Sequence, residues 1–281
     1  MGDSLRIPAR GDGFALGAEL FLPSSPPRAA ALVAGAMAVR ASFYAPLAEY
    51  MARRGVAALT VDYRGIGGSR PRGSLRRFHA TFHDWGERDL AGALEWLAWR
   101  VPGVPLLWVG HSAGAQLMGL VAGPEVEAAL FVAAGTAYWK GYRGLPRAIM
   151  AALWYGLFPV MLGIAGYLPM RRFGQGEDVP LGVAREWAQW GRDRRYVYSY
   201  AEPRGGLGYE RYAGPLLTLS IADDKYAPPT STAHLLSLYR RARKEQWTIR
   251  PDGGPIGHFG FFRRPDLWKE PVSWLLGESR R

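Results

Sequence analysis

Apolar residues along the chain fall into short unbroken runs, separated by stretches with helical spacing. Residues 30–34 (AALVA), 56–61 (VAALTV), 105–109 (PLLWV) and 128–134 (AALFVAA) read as strands buried on both faces. Residues 15–22 read as an earlier strand, and 44–54 carry Leu47 and Met51 at helical spacing before Gly55. Residues 84–100 place Leu90, Leu94 and Leu97 on one helical face, with acidic residues near the start that suit a helix N-terminus. Residues 112–121 read as a further helix. The alternation stops between about 136 and 212. It resumes with a strand at 215–221, a helix at 232–243, a strand at 246–250 and a last helix at 265–276. Strands alternating with helices of this length predict βαβ crossovers and a mostly parallel sheet flanked by helices. The expected organisation is an α/β core from residues 1–135 and 213–281, with a helical cap, or lid, inserted at 136–212.

Within the interruption, residues 148–168 (AIMAALWYGLFPVMLGIAGYL) carry no charge over a length that can cross a bilayer. A single crossing there would leave the strands before and after it on opposite sides of the membrane, and neither half-sheet could close its core. The expectation is therefore no transmembrane span. A lid with an apolar inner face and an interfacial helix touching lipid both stay open. Gly156, Pro159, Gly163 and Gly166 suggest two short helices with a break near Pro159. Trp154, Tyr155, Phe158 and Met161 are candidates for a substrate pocket, with packing on the body of the domain as the alternative. Trp187 and Trp190, three apart, share a helical face where packing is the commoner role.

Composition narrows the chemistry. The 281 residues contain no Cys, which excludes disulfides, thiolate metal sites and Cys nucleophiles. The formal net charge of +11 comes from 31 Arg and 4 Lys against 24 acidic residues. These cations are spread along the chain without a long basic run or a nucleic-acid motif, so no nucleic-acid partner is expected. The first residues, MGDSLRIPAR, lack the apolar stretch of a signal peptide, and a cytoplasmic location is the expectation. His79 and His83 lie near one loop without further ligands in view, and no metal site is expected.

Gly110-His111-Ser112-Ala113-Gly114 fits G-x-S-x-G, with strand-like PLLWV leading in and helix-like residues leading out. The pattern has a steric cause. The Ser occupies a sharp strand-to-helix turn, and the two Gly positions let strand and helix approach, so the hydroxyl stands exposed. Asp62-Tyr63-Arg64-Gly65-Ile66-Gly67-Gly68-Ser69 forms a D-x-R-G-x-G-x-S loop, and Asp84-Trp85-Gly86-Glu87-Arg88-Asp89-Leu90 opens the next helix. In combination and in order, these stretches resemble α/β-hydrolases, in particular those of the serine-aminopeptidase and monoacylglycerol-lipase type, over nearly the whole chain.

The resemblance implies a chain order of Ser, acid, His. His258, in the Gly-rich loop 254–260, occupies the place of the base, whereas His234 falls within a helix. The acid follows the next-to-last strand. Asp224 fits the family pattern in Asp224-Lys225-Tyr226-Ala227-Pro228, with Asp223 as the alternative. The oxyanion donors implied are the backbone N–H groups of Ala113 and of Met37, although this chain has Gly35-Ala36-Met37 where many relatives carry His-Gly. His111 is expected to pack. The activity implied is serine hydrolysis of an ester or related acyl bond of a small apolar molecule, without a cofactor. Acyl transfer, short-peptide or C–C bond hydrolysis and a catalytically silent binding module are the alternatives. The partner expected is a small acyl substrate, with peripheral membrane contact left open.

Overall fold

The structure is a computed structural model that describes residues 2–121, 126–201 and 207–277. In chain order it runs β1 (Asp3–Pro8), β2 (Ala15–Phe21), β3 (Ala29–Ala34), α1 (Ala45–Arg53), β4 (Val56–Val61), α2 (Ala91–Arg100), β5 (Leu106–His111), α3 (Ala113–Leu117) and β6 (Ala128–Val132). The chain then leaves the sheet for α4 (Gly144–Ala152), α5 (Phe158–Ala165), the two-stranded ribbon of β7 (Tyr167–Leu168) and β8 (Val179–Pro180), α6 (Leu181–Arg192), α7 (Tyr198–Ala201) and α8 (Gly208–Arg211). It returns through β9 (Pro215–Ile221), α9 (Pro229–Leu238), β10 (Arg243–Ile249), α10 (Gly257–Gly260) and α11 (Lys269–Leu275). Residues 202–206, inside the expected insertion, lie outside the described residues.

Eight strands form one sheet in the order β1-β2-β4-β3-β5-β6-β9-β10. The first two strands are antiparallel to their neighbours; β4, β3, β5, β6, β9 and β10 run parallel to one another. This is the α/β class that the alternating runs predict. β3, β4, β5, β6 and β9 are buried along their whole lengths. Their side chains alternate between two cores, as a period of two requires. Leu32, Leu59, Trp108, Phe131 and Leu216 pack on one face. Val33, Ala58, Val109, Leu130 and Leu217 pack on the other.

Several elements differ from the sequence expectation. β1 is absent from that expectation because its polar residues alternate with Leu5 and Ile7 at an edge, where little burial is demanded. β10 begins at Arg243, three residues early. It is the opposite edge strand, and Arg243, Lys244 and Glu245 face solvent there. The helix before it consequently ends at Leu238, with Pro229 supplying its first turn. Residues 84–90 adopt a wide π-helical turn before α2. The expected break at Pro159 is absent: α4 and α5 join through a π turn at Leu153–Leu157 into one helix from Gly144 to Ala165. Pro159 lacks the N–H that an α-helical register needs there, and the wider turn directly before it accommodates that loss without ending the helix.

The parallel strand order reverses direction at β3: β4 lies on one side and β5 on the other. In an open α/β sheet the crevice outside the carboxyl ends of two such strands is where ligands bind. Here that crevice is bounded by the loop after Ala34 and the turn after His111.

Candidate active site

β5 runs directly into α3 through Ser112, whose φ of 51° and ψ of −108° are strained for a residue with a side chain. The flanking glycines explain how the turn is tolerated. A Cβ on Gly114 would collide with the backbone oxygen of Ala34 in β3, and one on Gly110 would lie 2.8 Å from the Ala115 Cα. Only glycine lets strand and helix close this tightly, and the result is a half-buried Ser112 hydroxyl at the edge of the sheet.

Residues 223–224 and 256–258 meet at the carboxyl ends of the following strands. Asp224 Oδ2 lies 2.8 Å from His258 Nδ1, and its Oδ1 accepts the Tyr226 N–H at 2.7 Å. Both residues are buried. Asp223 serves a different purpose. Its two oxygens accept the N–H groups of Ile256 and Gly257 at 3.0 Å each, clamping the loop that carries His258. In the tautomer that donates Nδ1–H to Asp224, Nε2 is the acceptor. Ser112 and His258 line the same cavity, but no hydrogen bond within 3.5 Å joins their side chains.

That cavity has a volume of about 380 Å³. Met37, Ala113, Ser112 and His258 lie on its wall with Trp154, Phe158 and Met161 of the long helix. Tyr155 does not line it. The next residue after Trp154 in the π turn, it points to another side of the helix, is more than half exposed, and packs against Trp139 and beneath Arg192. Leu153, Leu157, Leu168, Met170 and Val179 complete much of the apolar lining. Trp187 also reaches the cavity and packs on Trp154, whereas Trp190 is buried against Phe82 and Tyr196.

The alpha/beta hydrolase family profile matches residues 30–269, well over half of the chain. The chain belongs to the alpha/beta hydrolase family. No curated protein matches it by sequence. Among solved structures it resembles DcsB in complex with its substrate analogue (TM-score 0.67, 14% identity, covering 100% of this chain and 99% of that one). It also resembles the esterase Pf2001 of Pyrococcus furiosus (TM-score 0.60, 17% identity, 99% and 92% covered). A third is a soluble variant of monoglyceride lipase from Saccharomyces cerevisiae with a substrate analog (TM-score 0.67, 14% identity, 96% and 95% covered). At these identities the likeness is one of fold.

In this hydrolase-family chain the residue before Ser112 does more than pack. His111 is fully buried; that burial first, and then the neighbouring His258, hold its pKa well below 6.5. Its ring is therefore neutral near pH 7. Its Nε2–H donates to the His258 carbonyl at 3.0 Å, which leaves Nδ1 to accept the Tyr44 O–H at 2.8 Å. The Tyr44 oxygen in turn accepts the Ala36 N–H at 2.7 Å. One buried chain of hydrogen bonds thus ties the loop after β3, the turn after β5 and the loop carrying His258. Sequence offered no signal for Tyr44 beyond its place at a helix start.

With Ala36 N–H engaged by Tyr44, the Met37 and Ala113 N–H groups have no hydrogen-bond acceptor among the described residues. Ala113 opens α3, where N–H groups are without intrahelical partners. The D-x-R-G-x-G-x-S loop supports the same region. Asp62 accepts the N–H groups of Ala41 and Gly68 at 2.7 Å each, and the Tyr63 hydroxyl donates to Gly35 O at 2.7 Å. The other histidines stand apart. His234 Nδ1 lies 2.8 Å from the Thr136 hydroxyl, and His83 Nδ1 lies 2.6 Å from Glu186. No group of three metal-ligating side chains occurs among the described residues.

Proposed function

We propose that this protein is a serine hydrolase that cleaves an ester or related acyl bond of a small apolar molecule through an acyl-enzyme on Ser112. The reading rests above all on one observation: His258, whose Nδ1 lies 2.8 Å from Asp224, borders the same cavity as a strained Ser at a strand-to-helix turn. The direction of the His258–Asp224 hydrogen bond supplies the chemistry. Nε2 of His258 takes the Ser112 proton as Oγ attacks the acyl carbon. The imidazolium that forms is stabilised by the Asp224 carboxylate. The negative charge that develops on the acyl oxygen is met by the Met37 and Ala113 N–H groups. His258 then delivers its proton to the leaving oxygen, which departs as an alcohol. Water, deprotonated by the same Nε2, attacks the acyl-enzyme and releases the carboxylic acid and free Ser112.

The cavity lining supports an apolar acyl group. Trp154, Phe158, Met161 and Leu153 present hydrocarbon and aromatic surface, and burying such surface contributes about 25 cal/mol per Å² removed from water. Hydrolysis of chromogenic esters of increasing acyl length tests the proposal. kcat/KM is expected to rise from acetate to medium-chain esters, and Ser112→Ala is expected to lower kcat by about 10⁶-fold. Full turnover by folded Ser112→Ala, or no turnover of any ester by the folded parent, would overturn it.

A further inference from the structure

The helix that walls the cavity has a second face. Trp154, Phe158 and Leu162 are buried, but only 17% of its most apolar stretch is. Leu145 (73% exposed), Ile149, Leu157, Val160 and Ile164 (74% exposed) form its outer side. A helix apolar all round normally lies in a protein core or in lipid. An exposed apolar face of this size marks a contact surface.

Charge identifies what it contacts. From residue 128 to 176 the chain has no Asp or Glu, but carries Lys140, Arg143, Arg147, Arg171 and Arg172. Arg143 and Arg147 flank the N-terminal end of the helix. At its C-terminal end Arg76 donates to the Ile164 carbonyl, and Arg171 and Arg172 follow beside the exposed Phe173. Arg171 pairs with Glu177 at its inner side, while Arg172 and Arg143 take part in no ion pair among the described residues. An apolar strip with cations at both ends matches an anionic bilayer surface, where acyl chains meet phosphate and carboxylate headgroups. A second copy of the chain fits poorly. Two such faces laid together would bring arginines against arginines, with no acid within the segment to offset them. Spanning is excluded by the inner face, since Trp154 is held on Trp187 and donates to Ala137 O at 2.9 Å.

We propose that this protein docks peripherally on anionic lipid bilayers through the outer face of the Gly144–Ala165 helix, with the arginines at its two ends in the headgroup layer. Leu157 and Phe173 belong both to this exposed surface and to the cavity lining. Docking therefore brings the cavity mouth to the lipid, and the substrate class follows: an acyl amphiphile dissolved in the bilayer. This last step rests on the hydrolase reading; the docking does not.

Sedimentation with vesicles of phosphatidylcholine, with and without phosphatidylserine, tests the docking without any activity readout. Full-length protein is expected to bind the anionic vesicles at low salt and to release as salt rises. Arg143→Gln/Arg172→Gln should bind about thirty-fold more weakly, the effect of two arginines near such a surface. Leu145→Ser/Ile164→Ser should also lose binding. Because all four side chains are exposed, both variants should keep the parent's melting temperature. Ser112→Ala should bind as the parent does, which separates a failure of the catalytic reading from a failure of docking. Absence of binding to anionic vesicles at low salt, equal binding to neutral ones, or a stable dimer that Leu145→Ser/Ile164→Ser dissociates would overturn the proposal.

Discussion

Replacing Asp224 by Asn removes one negative charge and leaves the side-chain shape almost unchanged, so its effect follows from hydrogen-bond direction. The carboxylate now accepts from Tyr226 N–H at 2.7 Å and faces His258 Nδ1 at 2.8 Å. In the Asp224→Asn variant the amide oxygen keeps the Tyr226 N–H, because an amide NH₂ there would oppose another donor. The NH₂ then points at His258 Nδ1, which must accept. The ring proton moves to Nε2, the nitrogen required to take the Ser112 proton. The fold is unaffected, while the base is held in the wrong tautomer. A change of this kind lowers kcat by about 10⁴-fold, equivalent to about 5.4 kcal/mol of barrier. Asp223→Asn is the matched control. It keeps one acceptor for the Ile256 and Gly257 N–H groups and sets an NH₂ against the other. It is expected to lower stability by about 1–3 kcal/mol and kcat by less than about tenfold. Steady-state hydrolysis of a soluble chromogenic ester, with thermal unfolding measured in parallel, checks both. A larger loss of kcat in Asp223→Asn than in Asp224→Asn, or an Asp224→Asn variant within about tenfold of the parent, would show that Asp224 does not set the tautomer of His258.

Two other predictions concern the buried chain through His111. Tyr44→Phe leaves Ala36 N–H without an acceptor and His111 Nδ1 without a donor, and should lower unfolding free energy by about 2–6 kcal/mol in denaturant titration. Because Ala36 precedes the Met37 N–H, kcat should fall with little change in KM; a variant as stable and active as the parent would show that the chain carries neither role. The second concerns pH. The folded pKa of His111 lies well below its ordinary 6.5, so His111 is neutral in both states above that pH. As pH falls below about 6.5 the unfolded chain gains a proton that the folded one refuses, and stability drops by up to about 1.4 kcal/mol per pH unit until the folded pKa is reached. Unfolding between pH 7 and about 5 should show this slope, and His111→Gln should remove that proton's share; equal slopes would refute the assignment.

The interior strands were legible because burial on both faces demands continuous apolar residues, as in AALVA and VAALTV. The edge strand β1 was not, and the start of β10 was placed three residues late, since most positions there meet solvent and polar residues are acceptable. Gly110, Ser112 and Gly114 were readable because a strained turn admits few residue types, and the structure supplies the colliding atoms. Asp223 and Asp224 differ by one position in sequence. Only the path of the backbone directs one to a loop clamp and the other to His258. The role of Tyr44 depends on bonds to residues 8 and 67 positions away, which no local pattern encodes. Tyr155 illustrates the limit of an apolar segment without charge. With no polar face to set its phase, which side met the cavity could not be read.

Hydrolysis at this site requires Ser112 to be a nucleophile activated by His258. Incubation of the parent with an alkyl fluorophosphonate, followed by intact-mass and peptide mapping, measures this without assuming a substrate. The expected result is a single phosphonyl adduct on Ser112, absent from Ser112→Ala and formed far more slowly by His258→Ala. Folded protein that gains no adduct, or gains it at another residue while Ser112 stays free, would contradict the account.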